Sequence, residues 1–259
     1  MDPETPLVVP EINASALPAK EKPSLIANPN CSTIQLVVAL APLAQKFGLT
    51  SVQVSTYQAV SGAGKAARDE LLEQTSDLLE NSEEVYVEHF PHPIAFNCLP
   101  QIGSFDSEGF CSEENKIVNE TRKILGQADL PVSAFTVRVP GINGHSEAVW
   151  ATLKKETTND EIRQCLKGAD GVEVIDSPTE NRYPHVLEAS GQNPVYVGRV
   201  HQDRNNSKTW LFWVVADNLR KGAALNGLQI AERIIDAVGR HMCNPRANHT
   251  PQQPHQTRF

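Results

Sequence analysis

The chain has no run of apolar residues approaching the ~18 that a membrane-spanning helix requires, so no α-helical membrane partner is expected. It has no Cys-x-x-Cys pair. Its cysteines, at 31, 98, 111, 165 and 243, are odd in number, which argues against both a disulfide framework and a zinc site, and no metal is expected. It also lacks any Lys/Arg cluster long enough to track a phosphate backbone. With a formal charge of -8 spread along the chain, nucleic acid is not an expected partner. The opening MDPETPLVVPEI is acidic where a secretory signal is basic, so the expected location is the cytoplasm.

What is present suits a packed protein. The 259 residues, 40% of them hydrophobic, suffice for one large domain or two small ones. PLVVPEI is followed by a polar stretch, SALPAKEKPS, that reads as a linker, and LIAN reads as a short strand. The run from Ser32 has helix length and ends at Gly48, with Pro42 predicting a kink or an early end. In SVQVSTYQAV (51–60), Val52, Val54 and Val60 alternate with Ser51, Gln53, Ser55 and Tyr57, the period of a half-buried strand. A helix follows the SGAG loop, and a charged helix over 112–126 begins at Ser112, whose hydroxyl and two following acids suit an N-terminus. VSAFTVRVPG sets Phe135, Val137 and Val139 on one face and Ala134, Thr136 and Arg138 on the other, a pocket or solvent wall.

Further strands are expected in HSEAVWATLKK, GVEVID, PVYVGRVHQ and TWLFWVVADN, with a short helix near NDEIRQCLK and a long one over about 219–238. The polar tail after Gly239 reads as disordered. The fold class is α+β with a mixed, largely antiparallel sheet.

Several residues carry chemistry. In IANPNCSTIQ, Cys31 stands at the mouth of a helix, where unpaired N–H groups and the dipole favour a thiolate and lower its pKa. On spacing alone a lone cysteine among apolar residues is more often a core thiol. A nucleophilic thiol needs an acid/base partner. His145, after Gly141 and Gly144, is a candidate, and His89 and His92 serve equally on pattern alone. Glu113 and Lys116 share a helical face, as an ordinary solvated pair would. Arg138, on the small-residue face of its strand, calls for a carboxylate or phosphate. GAGKAA matches Gly-x-Gly-x-x-Ala, with Glu83 and Glu84 about twenty residues on. The preceding strand alternates with polar groups, though, whereas the first strand of a dinucleotide fold is apolar on both faces, so the fingerprint is rejected.

Taken together, ANPNCSTIQ, STYQAVSGAG, RVPGINGHSEA and VVADNLRKGAALN resemble, in order, the conserved segments of the aspartate-semialdehyde dehydrogenases. The resemblance implies a sheet domain like the C-terminal domain of glyceraldehyde-3-phosphate dehydrogenase, with helices on one face, a homodimer, and NADP as cofactor. It implies Cys31 as nucleophile and His145 as general acid/base. It implies that Gln58 orients the substrate, with Glu113 at its amino group, Lys116 at the phosphate and Arg138 at the α-carboxylate, and it places Ser61, Gly62 and Asn218 at NADP.

The same resemblance divides the chain into 1–24, a remnant of a Rossmann domain and linker; 25–218, the catalytic and dimerisation domain; 219–239, a closing helix; and 240–259, the tail. The family's Gly-rich cofactor domain has no counterpart here, so a truncated chain with little turnover of its own is expected. Leu225, Leu228, Ile230 and Ile235 of the last helix are then expected to be partly exposed. Two alternatives remain open at this point: a non-catalytic partner subunit, and a reductase of N-acetyl-glutamyl phosphate, from which Glu113 would discriminate because an acetylated amine needs no acidic partner.

Overall fold

The computed structural model describes residues 4–18, 24–80 and 85–242, the last six as backbone. Where LIAN predicts a strand, a single parallel bridge joins Ala27 to Leu7, and a one-turn helix, α1 (Pro10–Asn13), follows. Helix α2 (Cys31–Phe47) starts because the Asn30 side chain accepts the Ser32 and Thr33 amides, and stops at Gly48. The kink or early end expected at Pro42 does not end it. The helix runs through the proline, since its residues from Ser32 to Ala41 are buried and packing outweighs the ~3 kcal/mol of an interior proline.

Strand β1 (Leu49–Gln58) begins two residues earlier than the pattern predicts and buries Val52, Val54, Thr56 and Gln58. Val60 has left it for a 3-10 turn, Val60–Ala63, because pairing ends where Gln58 meets His145. Then come α3 (Lys65–Leu79) and α4 (Ser112–Leu125). The N-cap of α4 is Cys111, not Ser112, and the Glu114 carboxylate accepts the Cys111 amide at 2.9 Å. The rest of the chain forms β2 (Val132–Arg138), β3 (His145–Leu153), α5 (Asn159–Lys167), β4 (Val172–Val174), α6 (Val186–Ala189), β5 (Val195–Gln202) and β6 (Thr209–Ala216). A π turn, Arg220–Ala224, leads into α7 (Leu225–Met242), which passes the expected stop at Gly239. Residues 240–242 of the expected tail are therefore helical; the remainder, with Cys243, and Glu83 and Glu84, lie outside the described residues.

The strands form one sheet in the order β2-β1-β3-β6-β5-β4, parallel at β1–β2 and β4–β5 and antiparallel elsewhere. This is the mixed α+β architecture the sequence predicts. Helices α2, α4 and α5 cover one face, over a core that includes Leu36, Leu40, Val149 and Phe212. Among the described residues the opposite face is covered at one corner by the short α6 and the residues just before it, where Val215 and Ala189 pack, and Tyr57 and Phe135 are left exposed. Edge strand β2 shows which way its two faces turn: Thr136 and Arg138 are buried beneath α4, and the apolar Phe135 faces outward. On α7, Leu228 and Ile235 are exposed as expected, whereas Ile230 is buried. No helix of the described residues is long and apolar enough to cross a membrane.

Candidate active site

Sheet register lines the candidates up. Gln58, the last residue of β1, pairs with Arg138 on one side and His145 on the other, and His145 pairs with Ala216, two residues before Asn218. One end of the sheet thus presents an amide, a guanidinium, an imidazole and a carboxamide in a row. The N-terminus of α2 meets that row, since the Gln35 amide, one turn beyond Cys31, donates to the His145 carbonyl at 3.4 Å.

Cys31 is the first residue of α2 and is half-buried. Gly222, in the π turn, lies against it so closely that a Cβ there would stand 2.9 Å from the Cys31 Cβ. The thiol pKa is not lowered as the helix mouth predicts. Loss of water and the Glu113 carboxylate push it up to about 12, outweighing the Ser32 amide and Arg138. In this state Cys31 is a thiol.

His145 is wholly buried, and its Nδ1 accepts the Ala59 amide hydrogen at 3.2 Å. Burial, and secondarily the Arg138 charge, hold its pKa down at about 3, so the ring is neutral and its proton sits on Nε2. That Nε2 has no protein partner. Beside it, a Cβ at Gly62 would come 3.1 Å from Nε2 and 3.0 Å from Arg138 Nη1, so the glycine keeps the space between them open. His89 is committed elsewhere, its ring and amide both bonded to Glu70, and His92 is exposed on its loop.

Arg138 is buried, and burial draws its pKa down against the opposing pull of Glu113. Its Nη1 donates to the Ala59 carbonyl at 2.8 Å, and among the described residues no carboxylate forms an ion pair with it. Glu113 is buried too. Its Oε1 accepts Asn30 Nδ2 at 2.7 Å and Gln58 Nε2 at 3.2 Å, while Lys116, half exposed, stands 3.6 Å from its other oxygen. Glu113 and Lys116 are therefore not an ordinary surface pair. Asn218 accepts the Gly144 amide at 2.9 Å and the Ser61 hydroxyl at 3.0 Å, and Ser61 also reaches Asn143. Gly144 has φ +87°, the left-handed backbone that lets the chain turn into His145.

The residues the resemblance picks out, except the half-exposed Lys116, thus stand at this end of the sheet in the contacts described, and Lys116 joins them through Glu113; His89 and His92 do not. Sequence reasoning missed four others. Asn30 both caps α2 and holds Glu113; Gly222 walls in Cys31; Gln35 and Glu147 lie buried beneath the reacting groups. The legible signal for Glu147 was its spacing: it follows His145 by two residues on the inward face of an otherwise apolar strand.

Comparison with known proteins bears on the family of the chain. Residues 40–221 match the family described as semialdehyde dehydrogenase, dimerisation domain. The chain is 50% identical over 235 residues to the aspartate-semialdehyde dehydrogenase of Aquifex aeolicus and 47% identical over 242 residues to that of Bacillus subtilis, covering 91% and 90% of this chain and 69% of each relative. Among solved structures it resembles aspartate semialdehyde dehydrogenase II of Vibrio cholerae complexed with ASA (TM-score 0.87, 42% identity, 91% of this chain and 69% of that one). It also resembles aspartate semialdehyde dehydrogenase with NADP from Candida albicans (TM-score 0.66, 26% identity, 91% and 68%).

Proposed function

We propose a function from one established premise: the chain belongs to the aspartate-semialdehyde dehydrogenase family and is an oxidoreductase of that family. The reaction assigned is the NADP-dependent reductive dephosphorylation of L-aspartyl 4-phosphate to L-aspartate 4-semialdehyde. The observation that carries it is a buried guanidinium, Arg138, with no carboxylate paired to it among the described residues, set beside a thiol and a neutral imidazole. A substrate α-carboxylate supplies the missing partner. Glu113 takes the substrate ammonium, Lys116 the phosphate, and Gln58 orients the backbone.

The Cys31 sulfur attacks the acyl-phosphate carbon, inorganic phosphate leaves with the C–O electron pair, and a thioester forms. His145 Nε2–H is a donor in the resting state, because Ala59 occupies Nδ1. To accept the thiol proton the ring must move its own proton to Nδ1, so the Ala59 bond opens after substrate has entered. In the second half-reaction Nε2–H holds the oxygen of the tetrahedral adduct, and the adduct collapses to aldehyde and Cys31.

The chain's residues fit the nicotinamide end of the cofactor. Gly62 keeps open a flat space over His145 Nε2 that a Cβ would fill, and the Ser61 hydroxyl and Asn218 carboxamide offer polar partners at its edge. When bound, the cofactor supplies the hydride. Residues 25–218 are assigned as the catalytic and dimerisation domain and 219–239 as the closing helix. The open sheet face, with a groove of about 510 Å³ lined by Trp150, Tyr183, Leu211 and Trp213, is assigned to pairing with a second copy. That groove lies opposite the face bearing His145 and Cys31, so it is not the catalytic cleft.

Mass spectrometry after mixing with L-aspartyl 4-phosphate should show one aspartyl adduct on Cys31, absent in Cys31→Ala. Semialdehyde formation by Cys31→Ala would overturn the assignment.

A further inference from the structure

Beneath the reacting pair lies a buried carboxyl that the proposed chemistry does not use. Glu147 is wholly inaccessible, and among the described residues neither of its oxygens has a well-formed hydrogen-bond donor, the Gln35 side chain being the group that faces it. It lies two residues after His145 on β3, so both side chains face inward, and its strand neighbours Thr56 and Val214 are uncharged. From α2 its neighbour is Gln35, which follows Cys31 by one helical turn. Gln35 is fully buried as well; its Nε2 reaches the His145 carbonyl, and its Oε1 also lacks a donor. Three oxygens of one contact therefore want a proton, and a carboxylate facing an amide has too few to give.

A protonated carboxyl answers all three. A carboxylic acid and a carboxamide can join by two bonds, the acid O–H to the amide oxygen and an amide N–H to the acid carbonyl, and the second amide hydrogen stays free for the His145 carbonyl. We propose that Glu147 is a positioning residue whose protonated carboxyl pairs two-fold with the Gln35 side chain, fastening the nucleophile's helix to the imidazole's strand one step below Cys31 and His145. Burial, opposed only weakly by Gln35, raises the Glu147 pKa well above that of an ordinary glutamate, in keeping with an acid that keeps its proton. The other groups that bear on the Cys31 thiol are Glu113 and Arg138, and those on His145 are Arg138 and Asp217. A neutral Glu147 spares the thiol a second buried negative charge.

The inference rests on Cys31 and His145 being the reacting pair, but one of its readouts does not. The infrared difference spectrum of wild type minus Glu147→Gln at about pH 8, far above the usual glutamate pKa of roughly 4.3, should contain a protonated-carboxyl C=O band. Its absence overturns the proposal whether or not the protein turns over. Glu147→Gln preserves an amide-to-amide pair, so its Cys31 alkylation rate and that rate's pH profile should stay within about twofold of wild type, since the charge of the native group is already zero. Glu147→Leu should slow or shift alkylation and lower kcat more than it raises KM, and Gln35→Leu should do the same. If Glu147→Leu proves too unstable to purify, Gln35→Leu alone carries the comparison. Loss of function in Glu147→Gln equal to that in either leucine variant would show that a carboxylate is needed and would also overturn the proposal. Wild-type alkylation in Gln35→Leu would do so as well. Failure to form the aspartyl adduct on Cys31 with the infrared band intact would instead strike the assigned reaction.

Discussion

Asn30 and Glu113 are joined at 2.7 Å, amide to carboxylate, across the gap between the cap of α2 and the first turn of α4. The residue that starts the nucleophile's helix is thus tied to the acid assigned to the substrate ammonium. After burial, the same acid is the main influence that raises the thiol pKa, so the charge on Glu113 and the ionisation of Cys31 are linked.

Glu113→Gln keeps the shape and removes the charge. Cys31 should then ionise at lower pH, and iodoacetamide should alkylate it about 3- to 10-fold faster at a fixed pH near neutrality, a shift of up to one unit. Arg138→Leu should act in the opposite sense, because the guanidinium pulls the thiol pKa down. The pH dependence of the alkylation rate measures both.

The helix mouth, Cys31 in NPNCST, and the alternation that buries β1 were legible because cap chemistry and strand period are local. The direction of the thiol's pKa was not, since it is decided by Glu113, far along the chain, and by burial that no window of sequence reveals. Pro42 misled as to an early end for a related reason: a local propensity was overridden by the burial of the helix ahead of it. The tie of His89 to Glu70 was equally out of reach, since sequence spacing could not assign that partner.

His145 titrates in the folded protein at about 3, below its ordinary 6.5. As pH falls through that window the unfolded chain takes up a proton that the folded chain refuses. The resulting stability is complete above about pH 6.5 and is lost toward pH 3, at up to about 1.4 kcal/mol per pH unit. Glu120 and Glu147, with raised pKa values, act in the opposite direction, so the contribution is read as a difference. Urea unfolding of wild type and His145→Gln across this range should show the variant losing less stability on acidification.

Gly222→Ala places a methyl 2.9 Å from the Cys31 Cβ and 3.3 Å from its Cα, where backbone must move. The expected loss is about 1–3 kcal/mol in urea unfolding, with slower Cys31 alkylation.

Lys221, next in line, is almost wholly buried, and its ammonium meets both Glu11 oxygens at 2.7–2.8 Å together with Asn226 and Gln229. Lys221→Met leaves Glu11 without its counter-charge and should lose about 3–5 kcal/mol. The double variant Glu11→Leu/Lys221→Met should recover much of that loss, as chemical denaturation of the three proteins would show.

This clamp has a consequence for how the thiol is made. Cys31 leaves the ribosome well ahead of the glycine that walls it in and the lysine that anchors that wall, which lie on the far side of the whole sheet in the chain. Glu11 waits just as long for its counter-ion. The sulfur is therefore made before its cover, which comes only with the turn that leads into α7.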